Sequence, residues 1–594
     1  MPPPSRHVAP TLVEAVRQLS GDRQRGFVFV GSDGAERLCS FHDIAHEAER
    51  RAGALAACGL KKGDRLALVI PGGDEFVLSF LAALFAGVVP VPIYPQLSFK
   101  NLESYNDSVS HIARASGAAM LLTTQGAKPY VDPVSARVDS LRKILTVEDL
   151  AGEHGRANAS VFPDDLAFLQ FTSGSTSRPK GVMVTHGNLA ANAEAFMIHG
   201  LERDPEVDKG VSWLPLFHDM GLIGFVVGPL FTNIPCVFLP TASFVRAPRV
   251  WLEKIHQHRG TITYAPNFAY ALVAKRLKDK DVEGLDLSCV RIAGCGAEPI
   301  HAKALHDFAE RLAPARFNPR ALLPSYGMAE ATLAVTFVPV GDGLRTDRVD
   351  AATLTQGKAV ASDDGRPIVD CGRPFPEHAV AIVDDAGRRL GERSVGQIVV
   401  SGPSVTRGYF DQPALTGETF KRLPDSDERW LYTGDLGYLA EGRLFVCGRV
   451  KDIIIVRGRN YYPTDIEWAV AELSNVRRGN VVAFGVDVDV QGGLAAEGTG
   501  EEQLVVCCEG AAADASTIRE AAGARISAQF GLTPREVVVV ALASLPRTSS
   551  GKPQRRATRQ MYLEGTLRRA RAVQAAQDVT ADPRSESNTA EGEA

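Results

Sequence analysis

From Leu66 to Leu312 the chain alternates short apolar runs with longer amphipathic ones, and this alternation restricts the fold more than any other feature. LALVI at Leu66, LLTT at Leu121, LAFLQF at Leu166, VSWL, CVFLP from Cys236, TITYAP and VRIAG from Val290 have the length and composition of strands. Stretches from Phe76, Asn188 and Asn267, with WLEKIHQH and HAKALHDFAERL, read as the helices between them. Strands that alternate with helices pair in parallel and are covered on their faces, so the predicted class is α/β with layered sheets. FVLSFLAALFAGVVPVPIY, from Phe76 to Tyr94, is apolar enough to suggest a membrane span, but Gly87, Pro90 and Pro92 interrupt it. It reads as a buried helix followed by a strand, and no transmembrane segment is expected.

At 594 residues the chain exceeds what one growing core accommodates, so more than one domain is predicted. After Asp370 the texture becomes turn-rich β (AVAIVD, GQIVVSG, RLFVCGR), which suggests a small barrel or sheet subdomain. Beyond GRVKD at 448–452, the segments IIIV, IEWAVAEL, NVVAFGV, QLVVCCE and VVVVAL suggest a compact α+β unit. From Asp578 the run DVTADPRSESNTAEGEA lacks an apolar period and reads as a disordered acidic tail. A net charge of -5 supplies no broad basic field, which argues against a nucleic-acid partner. The nine Cys are scattered without a CxxC, which fits reduced thiols in the cytoplasm better than a disulfide framework or zinc site. MPPPSRHVAPTLVEAV lacks the apolar core of a secretory signal, so a cytoplasmic location is expected.

FTSGSTSRPKGVMVTH, residues 171–186, places hydroxyls, glycines and one lysine between a buried strand and a helix. Backbone N–H groups, Ser and Thr hydroxyls and one cation make an anion cradle, suited to nucleotide phosphates. The loop is not GxxxxGK[ST], since neither Lys180 in RPKG nor Lys552 in SGKP supplies it. Ser177 to Lys180 matches SxxK in letters only, because Pro179 opposes the helical turn that motif requires.

This loop resembles the phosphate loop of the adenylate-forming superfamily of acyl-CoA synthetases, luciferases and peptide-synthetase adenylation domains. GAEP at 296–299, SYGMAE at 325–330, YTGD at 432–435, GRVKD and PRTSSGK at 546–552 follow in the superfamily's order. The resemblance implies a large N-terminal domain (1–448), a hinge (449–452) and a small mobile C-terminal domain (453–577). It also implies two steps, in which ATP and a carboxylate give an acyl-adenylate and a thiol then takes the acyl group. On that basis Thr172, Ser173, Gly174, Ser175, Thr176 and Lys180 would cradle the β- and γ-phosphates, and Glu330 would hold Mg²⁺ bridging phosphate oxygens. Tyr326 would stack on adenine within Ser325, Gly327 and Met328, beside Gly296, Ala297, Glu298 and Pro299. Asp435 would accept the ribose hydroxyls with help from Arg449. Lys552 would bridge the attacking carboxylate and the α-phosphate, Lys451 would be the hinge, and His218 in WLPLFHDMG would lie near the acyl entrance.

Within the superfamily the chain is most similar to the fatty acyl-AMP ligases. About forty residues separate Glu330 from Cys371, and that branch carries an insertion here (about 338–370) that restricts domain movement and disfavours CoA. KDIIIVRGRNYYPTDIE, PVPIYP, TSSGKPQRR and Ala329 in SYGMAE also resemble the branch, whereas Lys180 is a departure, since many members have a small residue there. The implied partners are a fatty acid and a separate acyl carrier protein, or a polyketide or nonribosomal peptide synthase, whose phosphopantetheine thiol displaces AMP. A CoA-using fatty acyl-CoA synthetase and a non-catalytic nucleotide-binding relative are the competing readings. Apolar residues after His218 and around NFAYAL are candidates for the acyl pocket, with core packing the equal alternative.

Overall fold

The computed structural model describes residues 8–96, 102–152, 154–157, 159–172, 179–457, 459–489, 491, 493–495, 500–547 and 553–570. Besides the two-stranded ribbon of Leu166–Thr172 and Lys180–Thr185, two sheets carry the first 340 residues. The larger has nine strands. Its parallel centre runs Leu322–Gly327, Ile292–Cys295, Ile262–Ala265, Gly210–Ser212, Cys236–Phe238 and Gly26–Val30. The smaller, all parallel, orders Val89–Pro92, Arg65–Val69, Met120–Thr123 and Lys143–Thr146. Period-two alternation decides its faces: Leu66 and Leu68 join the main core with Phe27, Phe41 and Phe80, while Ala67 and Val69 pack with Tyr105, Val109 and Ala113 of helix Leu102–Ser116. Helix Gly73–Phe85 is buried continuously from Phe76 to Phe85, as expected of an apolar run covered on every side. Among the described residues no helix is long and apolar enough to cross a membrane.

The helix expected from Asn188 begins at His186. Thr185 is the cap: its Oγ1 accepts the Asn188 N–H at 3.0 Å, and the Asn188 side chain accepts from the Thr185 N–H at 3.2 Å. Asn188 is thus the third residue of a capping box rather than the start. The helix passes at Glu194–Gly200 into a wider π turn, and a second π segment occupies Ile223–Val227.

Strands Ala379–Val383, Gly396–Ser401, Arg429–Ala440, Phe420–Arg422 and Arg443–Arg449 form the antiparallel five-stranded sheet of the barrel-like subdomain. In the C-terminal region Val476–Val488 pairs antiparallel with Glu501–Gly510, which pairs parallel with Glu536–Val540. Helices Pro463–Ala471 and Ala515–Phe530 cover one face through Ile466, Val470, Ile518 and Ile526. Helix Arg555–Leu563 covers the other, with Tyr562 and Leu563 against Phe484 and Val538. The predicted acidic tail from Asp578 lies outside the described residues.

The predicted insertion forms a two-stranded antiparallel ribbon, Thr346–Val349 with Arg366–Val369, and a short helix, Ala351–Leu354. Its apolar side, Val349, Leu354, Ala359 and Ile368, shares one core with Tyr438 and Phe445 of the barrel-like sheet and with Tyr462. Arg366 reaches further, lying 5.1 Å over the Tyr462 ring and 2.5 Å from the Asp465 carboxylate.

Candidate functional site

In a parallel sheet the carboxyl ends of the strands all open on one side, where ligands bind. Here Ile292–Cys295 leads directly into Gly296, and the neighbouring Leu322–Gly327 carries Ser325, Tyr326 and Gly327 at the same level. Ser325 Oγ donates to the Cys295 carbonyl at 3.1 Å and ties the two ends together. Space is tight: a Cβ on Gly296 would lie 2.8 Å from Ser325 Oγ, and one on Gly327 would overlap the Leu333 carbonyl oxygen at 1.9 Å. Ala297, a non-glycine residue, sits at φ +66°, and Thr332 at φ +68°. Such left-handed backbone persists only where surroundings enforce it, and it clusters at ligand sites. Glu298 turns away from this opening and accepts the Phe268 N–H at 2.7 Å, whereas Ala297 and Pro299 are exposed and Met328 is half-buried.

Asp435 faces this turn from Arg429–Ala440. Only 7% exposed, it accepts the Tyr326 hydroxyl at 2.8 Å on Oδ2 and Arg449 Nε at 3.0 Å on Oδ1. Asp435 and Arg449 are direct cross-strand partners, so the sheet register itself sets the pair. The Asp435 charge is the main cause of a raised Arg449 pKa. Tyr326 therefore meets the predicted ribose acceptor through its hydroxyl; a carboxylate has about four lone-pair sites, so Asp435 retains acceptor capacity.

Thr172 and Lys180 are cross-strand neighbours, and they flank the predicted phosphate loop. Ser173, Gly174, Ser175 and Thr176 lie outside the described residues. Lys180 Nζ stands 5.3 Å over the ring of Tyr409, whose hydroxyl donates to Glu330 Oε1 at 2.8 Å. Glu330 keeps part of its surface open to the cleft, yet protein surrounds it closely enough that desolvation raises its pKa. Burial likewise lowers the Lys180 pKa, and repulsion from Lys451 and Arg556 lowers it further, against the pull of Glu330 and Glu418. Like charges held together in a desolvated cleft are costly unless an anion joins them.

Lys451 is exposed in the tight turn Val450–Asp452. Its neighbours are anchored in opposite directions: Arg449 to Asp435 of the barrel-like sheet, and Asp452 to Arg555 of the C-terminal region, which also holds Glu467. Lys552 lies outside the described residues, but Arg547 and Pro553 on either side of it are bridged antiparallel. The fully buried Glu509 carboxylate fixes the chain just before Arg547, accepting the Leu545 N–H at 3.2 Å, Arg477 at 3.3 Å and the Asn480 amide. Arg547 also lies within electrostatic reach of Glu298 in the Gly296–Pro299 turn.

An apolar tunnel leaves the cleft at Gly296, Ala297, Ser325 and Tyr326 and runs between the two π segments, lined by Met197, Phe225, Cys236 and Ile262. π turns commonly mark functional positions, and both of these lie on the tunnel wall. The stretch after His218 supplies part of the lining, through Met220, Gly224 and Phe225, whereas NFAYAL does not. From that second candidate Tyr270 packs between Trp251 and Phe308 in the core. His218 caps the short helix Asp219–Leu222, with Nδ1 2.5 Å from the Asp219 carboxylate, and Asp219 itself lines the tunnel. Sequence reasoning missed Tyr409, Asp219 and the Arg366–Asp465 pair. The RGYF turn at 407–410 was a signal for the first; long-range pairing left none for the last.

A family model described as AMP-binding enzyme matches residues 18–410. A Caulobacter vibrioides protein, named provisionally as an acyl-CoA synthetase, is 38% identical over 521 residues, covering 86% of this chain and 88% of that one. The long-chain-fatty-acid–AMP ligase FadD26 of Mycobacterium bovis is 34% identical over 594 residues, covering 96% of this chain and 99% of its own. A solved structure from work on fatty acyl-adenylate ligases of E. coli and L. pneumophila superposes with a TM-score of 0.86 at 36% identity, over 94% of this chain and 98% of that one.

Proposed function

This chain belongs to the AMP-binding enzyme family, and we propose that within it the chain is a fatty acyl-AMP ligase that passes its acyl group to a carrier-protein thiol. One observation carries the reading: Tyr326 lines the apolar tunnel and also bonds Asp435, so the tunnel ends at the nucleotide side of the cleft. A carboxylate at the head of an acyl chain in that tunnel would arrive where an α-phosphate would lie. Its oxygen attacks phosphorus and pyrophosphate leaves, giving a mixed anhydride that a thiol can then open.

The chain's own residues do two things in this scheme. They position, through Asp435 and Arg449 on the ribose and the Gly296–Pro299 turn beside the base, and they compensate charge, through Lys180 and Lys552 on the phosphates. Lys180, Lys451 and Arg556 supply the positive cluster that a polyphosphate relieves. Among the described residues no cluster of three acidic, His or Cys side chains could cage a metal alone. A single carboxylate, Glu330, does suit Mg²⁺, which takes most of its ligands from phosphate oxygens and water and neutralises their charge when bound.

The hinge and the insertion enter the second step. We infer that rotation about Val450 and Lys451 would replace the adenylation arrangement by one open to a thiol, and that the Arg366 contacts to Tyr462 and Asp465 oppose that rotation. A large carrier protein could supply binding energy to break these contacts, whereas CoA offers far less surface. The implied acceptor is an acyl carrier protein or the carrier segment of a polyketide or nonribosomal peptide synthase, in the cytoplasm. Product analysis with ATP, Mg²⁺ and labelled dodecanoate tests the reading: acyl-AMP should accumulate, and its absence would refute the proposal.

A further inference from the structure

Asp219, Ser325 and Tyr326 bring polar atoms to the tunnel lining, and one further polar group stands among its apolar residues. Tyr264, on strand Ile262–Ala265, is 8% exposed and lines it, and its hydroxyl has no hydrogen-bond partner among the described residues. Of the buried side-chain polar atoms left unpartnered there, Tyr264 Oη alone belongs to a residue lining the tunnel. The contrast with Tyr270 is informative. That side chain, on the helix Asn267–Arg276 that follows, is also buried, and its hydroxyl donates to the Gly294 carbonyl at 2.6 Å. A buried tyrosine usually finds a partner, and leaving one unpaired costs the desolvation of the group.

The position is built. Tyr264 and Gly294 are paired across neighbouring strands, and the Tyr264 ring lies flat over Gly294, where a Cβ would come within 2.0 Å of Cζ. Only a glycine leaves room for the ring to cross toward the third strand. There it comes within electrostatic reach of Ser325, but the Ser325 hydroxyl donates to the Cys295 carbonyl and no hydrogen bond of good geometry joins it to Tyr264. Phe337 packs 5.8 Å from the ring on its other side and holds it in place. Phenylalanine would fill the same volume without the orphaned hydroxyl, so the oxygen itself needs an explanation. Ile262, two residues earlier on the same strand, shares its face and also lines the tunnel.

We propose that Tyr264 makes the tunnel selective for an oxygenated acyl chain, one whose hydroxyl or keto oxygen meets Tyr264 Oη. This rests on the ligase reading above. An acyl oxygen at that level satisfies the Tyr264 hydroxyl, while an unsubstituted chain leaves it unpaired against methylenes and loses about tenfold or more in kcat/KM.

The test is ATP–pyrophosphate exchange with dodecanoate and a positional series of hydroxydodecanoates, using the full chain and its Tyr264→Phe variant. One or a few positional isomers should exceed dodecanoate by about tenfold in kcat/KM, and Tyr264→Phe should bring that ratio close to one. Because the readout is a ratio between substrates on one enzyme, a general loss of activity in the variant does not imitate the result. Equal kcat/KM for every isomer and dodecanoate would overturn the inference while leaving the ligase reading intact, as would a preference that survives Tyr264→Phe. Absence of exchange with every acid would refute the ligase reading, and this inference with it.

Discussion

Glu330 shows how a few ångströms decide a role. Alone, an acid in a helical turn is a solvated carboxylate; here burial raises its pKa, and the Tyr409 hydroxyl and nearby Lys180 stabilise its charge. Tyr409→Phe removes the hydrogen bond but keeps the ring under Lys180, and adenylation is expected to fall about tenfold, read by pyrophosphate release. Asp435→Ala is expected to act on nucleotide binding, raising the KM for ATP about tenfold or more because Tyr326 and Arg449 lose their common partner. An unchanged KM would remove Asp435 from the nucleotide site. At this scale the sequence was informative wherever a motif is contiguous: SYGMAE and YTGD each brought their residues to one cleft. Tyr409 was missed because RGYF marks a turn at 407–410 but not that residue 409 meets Glu330, 79 positions away.

Helices and strands were legible for a different reason. Apolar periodicity is local, so the strands at Leu66, Cys236 and Ile262 and the helix at Asn267 could be placed, and the helix at His186 was missed only by its cap. The insertion's position was legible, but its partner was not, since Arg366 and Asp465 are about a hundred residues apart and nothing in KDIIIVRGRNYYPTDIE ties Asp465 to Arg366. Burial raises the Asp465 carboxyl from 3.8 to about 6 despite Arg366. The folded state therefore holds this proton more tightly than the unfolded chain, so the group's stabilisation is complete below pH 3.8 and lost as pH rises through about 6. Two pKa units correspond to about 3 kcal/mol, so Asp465→Asn is expected to be up to about 3 kcal/mol less damaging at pH 7 than near pH 4, read by urea unfolding. A pH-independent difference would contradict the shift. Arg366→Ala should also loosen the contact between insertion and C-terminal region. If that contact contributes about 1 kcal/mol, CoA-dependent thioester formation rises about fivefold; no rise would detach the insertion from acceptor choice.

At the scale of the molecule, two anchored blocks meet at Val450 and Lys451, and the cation cluster and the mouth of the tunnel lie on one cleft. That convergence could not be read from spacing, because it depends on how the C-terminal region sits on the rest; only the order of motifs pointed to it. Lys451→Pro is expected to slow acyl transfer far more than adenylation, since proline would stiffen the turn proposed as the hinge. Equal effects on both half-reactions would contradict the hinge. The most direct test of the whole account is product analysis of the full chain with ATP, Mg²⁺ and labelled fatty acid, with and without CoA. Acyl-AMP that accumulates and survives CoA is the predicted result; ready conversion to acyl-CoA would contradict it.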